Sequence, residues 1–465
     1  MINFVVNLFR GFRLIFILSK YRIIDDISVQ VCDSRLLNFF VFFSYIIFPI
    51  KIFYKSKDSF AVRINEALQI LGPTYIKFGQ IISTRADIVG EEIAKNLKQL
   101  QDKLPAFDNE IAWRTFKKEF GINFDDAFQI SKNSQPVAAA SISQVYCVSD
   151  SEGNKYAVKF LRPDIVKKYA KDIELQKFFA KLFNIFASKL QRLKAKEVVN
   201  ILEQVMYKEL DLRLEAASIS EMAENFASDV NIYIPNILWN FTSKNILTLS
   251  WVDGISIYDR QGLIDANINP VEVSKKLAIM SFNQTYRDGF FHADLHPGNI
   301  LITKDSKIAL IDFGIMGRLA EVDRIAISEI LYYFTQRNYY KVAQIHSKVG
   351  YIPAGSDVDL FAQYCRVIAE PIRGLAIREI SMGKILTQLF ELSERFGMEI
   401  QPQLLLLQKN IIIIEGIGQI LNPDINMWKL IEPWIEKWVV KNISFEAKFV
   451  KHIKKFFQNI IESNE

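Results

Sequence analysis

The apolar pattern along the chain changes character several times, and each change predicts a different kind of element. Met1 to Ser19 is largely apolar, interrupted by Arg10 and Arg13. A second apolar run, Leu36 to Ile50, holds 15 uncharged residues between Arg35 and Lys51. From about 61 to 120 the apolar positions take helical spacing. Gly72-Pro73 punctuates that stretch, with Pro73 suited to the first position of a helix. Between Phe124 and Leu161 the texture turns to short β-branched runs. Ala140–Val148 and Lys155–Leu161 read there as a hairpin joined through Asp150-Ser151-Glu152-Gly153-Asn154. Residues 164–228 return to charge-dense helix. Tyr233–Leu238 and Ile246–Trp251 are strand-like, and a helix runs from Asn269-Pro270 toward Gly289. Two short strands, Ile300–Thr303 and Lys307–Ile311, flank a turn at Asp305-Ser306, and beyond about 320 the pattern is helical. The chain carries no internal repeat and no low-complexity tract.

Length and composition narrow the class. A chain of 465 residues has room for two to three domains. Hydrophobic residues make up 50% of it, but 23% are charged, too many for a polytopic membrane protein. Leu36–Ile50 is shorter than the roughly 20 residues a spanning helix needs, so it reads as an interfacial or core helix. Met1–Ser19 lacks the small-residue cleavage site of a secretory signal. The formal net charge of +5 suits an anionic bilayer surface. No stretch of Lys and Arg interleaved with aromatics marks a nucleic-acid stripe, so nucleic acid is not an expected partner. Cys32, Cys147 and Cys365 lie far apart, which argues against a disulfide framework or a zinc site and for a reducing compartment.

The chemistry concentrates in Phe291-His292-Ala293-Asp294-Leu295-His296-Pro297-Gly298-Asn299, followed by Leu310-Ile311-Asp312-Phe313-Gly314. In protein kinases a catalytic-loop Asp and an Asn five residues on precede an Asp-Phe-Gly, as Asp294, Asn299 and Asp312 do here. Mg²⁺ is a hard ion that takes carboxylate and amide oxygens, which makes Asn299 and Asp312 the candidate metal ligands. Asp294 is the candidate acid/base. Tyr156-Ala157-Val158-Lys159 is similar to the kinase strand whose Lys grips the α and β phosphates of ATP, so Lys159 is a third candidate. A kinase carries a glycine-rich loop upstream. This chain has Pro136-Val137-Ala138-Ala139-Ala140-Ser141-Ile142-Ser143-Gln144-Val145 instead. Alanine adopts positive φ only at a cost, so a nucleotide loop of Val137, Ala138, Ala139, Ala140, Ser141 and Val145 takes a different pose. Lys77, Gln80 and Thr84 share one polar helix face. Glu209 and Glu215 lie about 120° apart around a helix, so one carboxylate can serve Lys159 while the other points elsewhere. By sequence distance alone, Glu174 is the nearer partner for Lys159.

As a set, these residues resemble the UbiB family of atypical kinase-like proteins, the bacterial relatives of the ADCK and yeast Coq8-type proteins. The matches run from Lys77-Phe78-Gly79-Gln80 through the alanine-rich loop, Lys159, Glu209-x-Asp211, His292 to Asn299, and Asp312-Phe313-Gly314, over about residues 70–320. The resemblance implies an α+β, bilobal protein-kinase-like fold with a helical N-terminal extension and a largely helical C-terminal region. It divides the chain into a hydrophobic, membrane-associated leader (1–60), an extension carrying the Lys-x-Gly-Gln motif (61–120), an ATP-binding domain (121–370) and a helical region with a basic amphipathic tail (371–465). It further implies that Glu215 pairs with Lys159, and that Lys77 and Glu209 meet inside the cleft with Gln80 nearby. ATP and Mg are the implied cofactors. The implied role is ATPase or small-molecule phosphotransfer in support of ubiquinone biosynthesis. Quinone-lipid precursors or membrane lipid and ubiquinone-biosynthesis enzymes are the implied partners, the cytoplasmic face of the inner membrane the location, and a homodimer the candidate assembly. Two other readings compete: an ATP-gated chaperone presenting quinone-lipid precursors, and a conventional protein kinase. Against the latter, no Ala-Pro-Glu follows Gly314 before the helical pattern that starts near Glu321. Tyr146 stands where many members have His. The tail from Trp428 to Glu465 has no uncharged run of spanning length, where many bacterial members end in two hydrophobic spans. Its Trp428, Trp434 and Trp438 with several Lys suit either a membrane surface or a core helix with a basic face.

Overall fold

The computed structural model describes residues 2–23, 26, 59–83, 97, 105–130, 135–186, 195–370, 381–398, 402–425, 430 and 433–438. Leu36–Ile50, Thr84, Trp428 and the basic tail beyond 438 lie outside them. The chain forms two compact units, one of Met1–Ala216 with Ile237–Trp251 and the other of Ala217–Asn236 with Val252–Glu465. Among the described residues the strands are β1 (Ala138–Ala139), β2 (Ser143–Ser149), β3 (Lys155–Leu161), β4 (Ile232–Tyr233), β5 (Ile246–Ser250), β6 (Ile255–Ser256), β7 (Phe290–His292), β8 (Ile300–Ile302), β9 (Ile308–Leu310) and β10 (Met316–Arg318).

The first unit is built on the antiparallel sheet β1-β2-β3-β5. The β2–β3 turn follows from its residues. The Asp150 carboxylate accepts from the N–H groups of Glu152 and Asn154, and Gly153 supplies the left-handed conformation at φ +86°. One face of the sheet buries Tyr146, Val148, Val158, Phe160 and Ile246 against Ala112 and Phe116 of the helix Asn109–Phe120. Phe124 and Phe128 complete this core, with Trp113 stacked on Phe124 at 4.0 Å. Aromatic rings supply burial that a small four-stranded sheet alone would lack. A second cluster packs Ile17 and Tyr21, at the end of the helix Ile2–Lys20, against Ala67, Leu68 and Leu71 of the helix Phe60–Leu71 and against Tyr75. The C-terminal part of the helix Ile2–Lys20 is thus part of this unit's packing. The helix Pro73–Ser83 is fixed by Thr74, whose hydroxyl donates to the buried Asp172 carboxylate at 2.6 Å.

The second unit contains the sheet β4-β9-β8-β6 and the pair β7-β10. β4 stops after two residues, short of the expected strand to Leu238, because Pro235 has no N–H for the ladder. The helix Pro270–Phe282 starts with Pro270 at its first position and an Asn269 cap, as its sequence predicts, but does not run regularly to Gly289. Residues Asn283–Asp288 form a π-helix that ends at Gly289, φ +67°. The widened turn is held by partners from far along the chain. The Trp434 indole donates to Asn283 Oδ1 at 2.8 Å, the Trp438 indole donates to the Tyr286 carbonyl, and Arg287 pairs with Asp229. These two indoles are therefore occupied inside the unit. Helices Glu321–Thr335, Tyr339–Lys348 and Val358–Ala369 build a further core around Val342, Phe361 and Cys365. Gln403–Leu421 is long and apolar enough to cross a membrane by length and composition, a test that core helices also pass.

His346 sits in that core with its ring against Phe361 and its Nδ1–H donating to the Val342 carbonyl at 2.8 Å. Burial pushes its pKa down from 6.5 to about 4. The neutral ring therefore belongs to the folded state, and unfolding takes up a proton at mildly acidic pH. The stability that His346 contributes is fully present above about pH 6.5 and is lost as pH falls toward 4, by roughly 3 kcal/mol. Urea midpoints read by tryptophan fluorescence should fall from pH 7 to pH 5, and fall less steeply in His346→Leu. Equal slopes in the two proteins would show that His346 does not carry the effect.

Candidate active site

In the first unit two lysines enter largely buried positions, each matched by a carboxylate. Lys159 lies on β3 opposite Val145 of β2 and Leu247 of β5, and its Nζ donates to both oxygens of Glu215 at 2.9 Å. The lysine and glutamate side chains are 15% and 8% exposed, so the bidentate pair replaces the hydration both charges have lost. Glu215 lies in the first turn of the helix Leu212–Asn225. Glu174, nearer in sequence, is exposed on the helix Ile165–Phe186 and has no desolvated charge to neutralise. Lys77, on the helix Pro73–Ser83, meets Glu209 at 2.8 Å with 12% and 4% exposure. Glu209 closes the helix Ala195–Glu209, three residues before the next helix begins. The break at Leu210-Asp211 puts the two carboxylates on different helices, not on one continuous helix. Gln80 is half-buried on the same helix as Lys77.

The alanine-rich segment is a tight β1–β2 hairpin rather than a wide loop. Ala138 faces Val145, Ala139 faces Gln144, and the Ala140 N–H donates to the Ser143 carbonyl at 2.8 Å across Ser141-Ile142. No residue from Val137 to Val145 has positive φ, which is what a run of Cβ-bearing residues dictates. Val137 is 55% exposed, whereas Ser141 is buried. Arg162, which the sequence did not single out, holds the hairpin. Its guanidinium donates through Nε and Nη2 to the Ala140 carbonyl at 2.9 and 2.7 Å, and through Nη1 to the Pro105 carbonyl. Tyr146 is a core residue, its hydroxyl donating to Asn109 at 2.7 Å and burial pushing its pKa up to about 12.

The second unit carries Asp294, Asn299 and Asp312. The β8–β9 register puts the last two at the same end of the strand pair. Ile300 faces Leu310, so Asn299 and Ile311 sit at the same end, and the Ile311 N–H donates to the Asn299 carbonyl at 3.2 Å. The Asp294–Asn299 segment folds tightly: the His296 N–H donates to the Asp294 carbonyl at 2.6 Å, and the Asn299 Nδ2 donates to the same carbonyl at 3.3 Å. Asp312 Oδ1 accepts from the Gly314 N–H at 3.0 Å. His292 joins the two segments. Its Nε2–H donates to the Asp312 carbonyl while its Nδ1 accepts from the Asp294 N–H at 3.1 Å, a pairing that fixes one neutral tautomer. Burial lowers the His292 pKa and so favours that neutral ring.

One contact of the motif comes from a region to which the sequence assigned no site residue. Lys409, on the helix Pro402–Leu421, places its Nζ 2.7 Å from Asp294 Oδ1. The neighbouring Asn410, buried, donates to the His292 carbonyl and accepts from the Leu295 N–H at 3.5 Å. The available signal was the polar triplet Gln408-Lys409-Asn410 between Leu404–Leu407 and Ile411–Ile414, in the middle of an apolar helix.

Residues 99–346 match the ABC1 atypical kinase-like domain, and residues 365–426 match the UbiB helical domain. The chain is 37% identical over 443 residues to a protein of Marinobacter nauticus named "Probable protein kinase UbiB", covering 94% of this chain and 80% of that one. The chain belongs to the UbiB family. A second relative of the same name, from Azotobacter vinelandii, is 36% identical over 397 residues, covering 84% of this UbiB-family chain and 74% of its own length. Among solved structures, "The complex structure of Rv3197-erythromycin from Mycobacterium tuberculosis" matches with a TM-score of 0.52 at 22% identity, over 76% of this chain and 90% of that one. That likeness shows a kinase-like fold, as the motifs predict. Lys409 and Asn410 fall within the UbiB helical domain, so this domain reaches the Asp294 segment of the kinase-like domain.

Among the described residues no group of three or more His, Cys, Asp and Glu side chains gathers in a metal-binding cluster. A Mg²⁺ site of the phosphoryl-transfer kind needs fewer protein ligands, because phosphate oxygens and water complete the octahedron. One carboxylate and one amide oxygen at the β8–β9 end, from Asp312 and Asn299, fit that demand.

The Lys77–Glu209 pair should behave as a coupled unit. Lys77→Ala and Glu209→Ala each leave one buried charge without its partner, at a cost of roughly 3–5 kcal/mol, whereas the double variant should cost clearly less than the sum. Chemical denaturation of the four proteins gives the coupling. Additive losses would mean that the two charges stabilise the fold independently.

Proposed function

We propose that this UbiB-family chain binds Mg-ATP and uses it in ATP hydrolysis or phosphoryl transfer to a small molecule, in support of ubiquinone biosynthesis at the membrane. The observation that carries the reading is that the segments bearing Asp294, Asn299 and Asp312 are joined by the β8–β9 register and the His292 bridge, which supports reading them together as an acid/base candidate with two hard oxygen donors. In this reading Asp312 and Asn299 hold Mg²⁺, which supplies charge neutralisation on the phosphates. Lys159, oriented by Glu215, takes the α and β phosphates. The hairpin residues Val137, Ala138, Ala139, Ala140, Ser141 and Val145 cover the nucleotide. Asp294 orients the acceptor and receives its proton. Lys77, Gln80 and Glu209 restrict access by a protein substrate. The ubiquinone connection rests on the family name. The membrane connection rests on the net charge of +5 and the apolar run Leu36–Ile50.

The relatives are named as probable protein kinases, and this second reading is disfavoured by one feature. After Gly314 the chain enters β10, which pairs with β7 from Met316 opposite His292 to Arg318 opposite Phe290, and the helix Glu321–Thr335 follows at once. Only Ile315 to Ala320 lie between the motif and that helix, too few for a peptide-docking segment.

The test measures nucleotide binding and turnover separately. Asp312→Asn should abolish the thermal stabilisation given by Mg-ATP, because an amide cannot replace the metal-binding carboxylate. Asp294→Asn should keep Mg-ATP binding within a few-fold while turnover falls by roughly 10²-fold. Phosphate release should rise with anionic liposomes and a phenolic quinone-precursor mimic. Full stabilisation of Asp312→Asn by Mg-ATP would remove the proposed metal site. A wild-type protein that neither binds nor hydrolyses ATP would remove the function.

A further inference from the structure

The helix Pro402–Leu421 is apolar over most of its length, yet each polar side chain in its middle has a specific target. Gln408 donates to Thr387 at 2.9 Å, Lys409 to Asp294 at 2.7 Å and Asn410 to the His292 carbonyl, while the buried Glu415 accepts from Ser381 and from the Gly383 N–H. Gln408 and Glu415 tie helices of the helical domain to one another. Lys409 and Asn410 do something different, because they reach 115 to 118 residues back along the chain to the segment that carries Asp294. Asn410 takes hold of that segment on both sides of Asp294, through the His292 carbonyl and the Leu295 N–H. Lys409 takes the carboxylate itself. Both members of the Lys409–Asp294 pair are 38% exposed, so the pair stands where solvent and a ligand have access.

We infer that Lys409 is a positioning residue for phosphoryl transfer, an ammonium delivered by the helical domain that fixes the Asp294 carboxylate in the orientation from which it meets the acceptor. This inference rests on the reading of Asp294 proposed above. An Asp side chain on a short segment turns freely about χ1 and χ2, and phosphoryl transfer is mostly positioning and electrostatics, so a carboxylate that swings away is lost to the reaction. A half-exposed ion pair adds little to stability. An ammonium retained in the middle of an apolar helix is thus better explained by what it orients than by what it stabilises. Asn410 sets the backbone and Lys409 sets the side chain.

The experiment uses the full chain and four variants: Lys409→Met, Lys409→Arg, Asp294→Asn and the double variant Asp294→Asn/Lys409→Met. Phosphate release should show that Lys409→Met lowers kcat at least about tenfold while KM for ATP stays within about twofold. Lys409→Arg, which keeps a charge able to reach Asp294, should recover most of the rate. In the Asp294→Asn background Lys409→Met should cause no further loss, because the group it orients is gone. Hydrogen exchange of the nucleotide-free chain gives a readout independent of turnover: residues 291–299 should exchange faster in Lys409→Met and at the wild-type rate in Lys409→Arg. Wild-type kcat in Lys409→Met, an equal further loss in the Asp294→Asn background, or unchanged exchange would each overturn the inference while leaving the proposed function standing. A wild-type chain with no ATP turnover removes the proposed function and this inference together.

Discussion

A charge removed from water must be met by an opposite charge or by several hydrogen bonds, and the arrangement of this chain follows from how it meets that demand. Lys159 is largely buried on the sheet face opposite the aromatic core of the first unit, and Glu215 accompanies it. Lys77 enters among helices and Glu209 accompanies it. Both carboxylates come from the Glu209–Glu215 stretch, where one helix ends and the next begins, so a single break in the backbone serves two buried lysines. The Thr74 hydroxyl plays the corresponding part for the buried Asp172 carboxylate, and the Ala140 carbonyl does so for the half-buried Arg162 guanidinium. Burying one partner without the other would cost several kcal/mol, which makes these pairs fixed points around which the apolar clusters are arranged.

In the second unit the same demand is met by a neutral group. His292 is buried, and its lowered pKa keeps the ring uncharged, so one nitrogen donates while the other accepts. A protonated ring would offer two donors and lose its bond from the Asp294 N–H. Neutrality therefore couples Asp294 to Asp312 geometrically. Gln284, in the π-helix, adds a bond to the His292 N–H, and Trp434 and Trp438 hold that π-helix in turn. The chain of contacts runs from the last described residues to the motif through groups that are each hydrogen-bonded.

The helix Pro402–Leu421 shows how an apolar element carries chemistry without losing its packing. Leu407, Ile411, Ile414, Ile417 and Leu421 are buried, while Gln408, Lys409, Asn410 and Glu415 each bond a specific partner. Hydropathy alone gives this helix the profile of a membrane span. Its Lys409 and Asn410 contacts give it a second identity, as the element through which the helical domain touches the Asp294 segment.

Local chemistry was legible without the fold. The β2–β3 hairpin, its Asp150–Asn154 turn, the β8–β9 pair and the kinase-like motif set are written in short segments, because turn residues, β-branched runs and motif spacing act over only a few positions. The absence of positive φ in the alanine-rich segment followed from its Cβ atoms. Residue spacing alone did not decide which charges meet: the family resemblance implied Lys159–Glu215 and Lys77–Glu209, and the tertiary structure supplies the physical reason. Sequence distance pointed Lys159 toward Glu174, but Glu174 remains in water and needs no partner, whereas Glu215 is desolvated and does. Neither Arg162 beneath the alanine hairpin nor Lys409 and Asn410 against the Asp294 segment had a local signature beyond a polar residue in an unusual place. Their partners lie 22, 115 and 118 residues away, and a contact of that span is set by packing rather than by any local pattern.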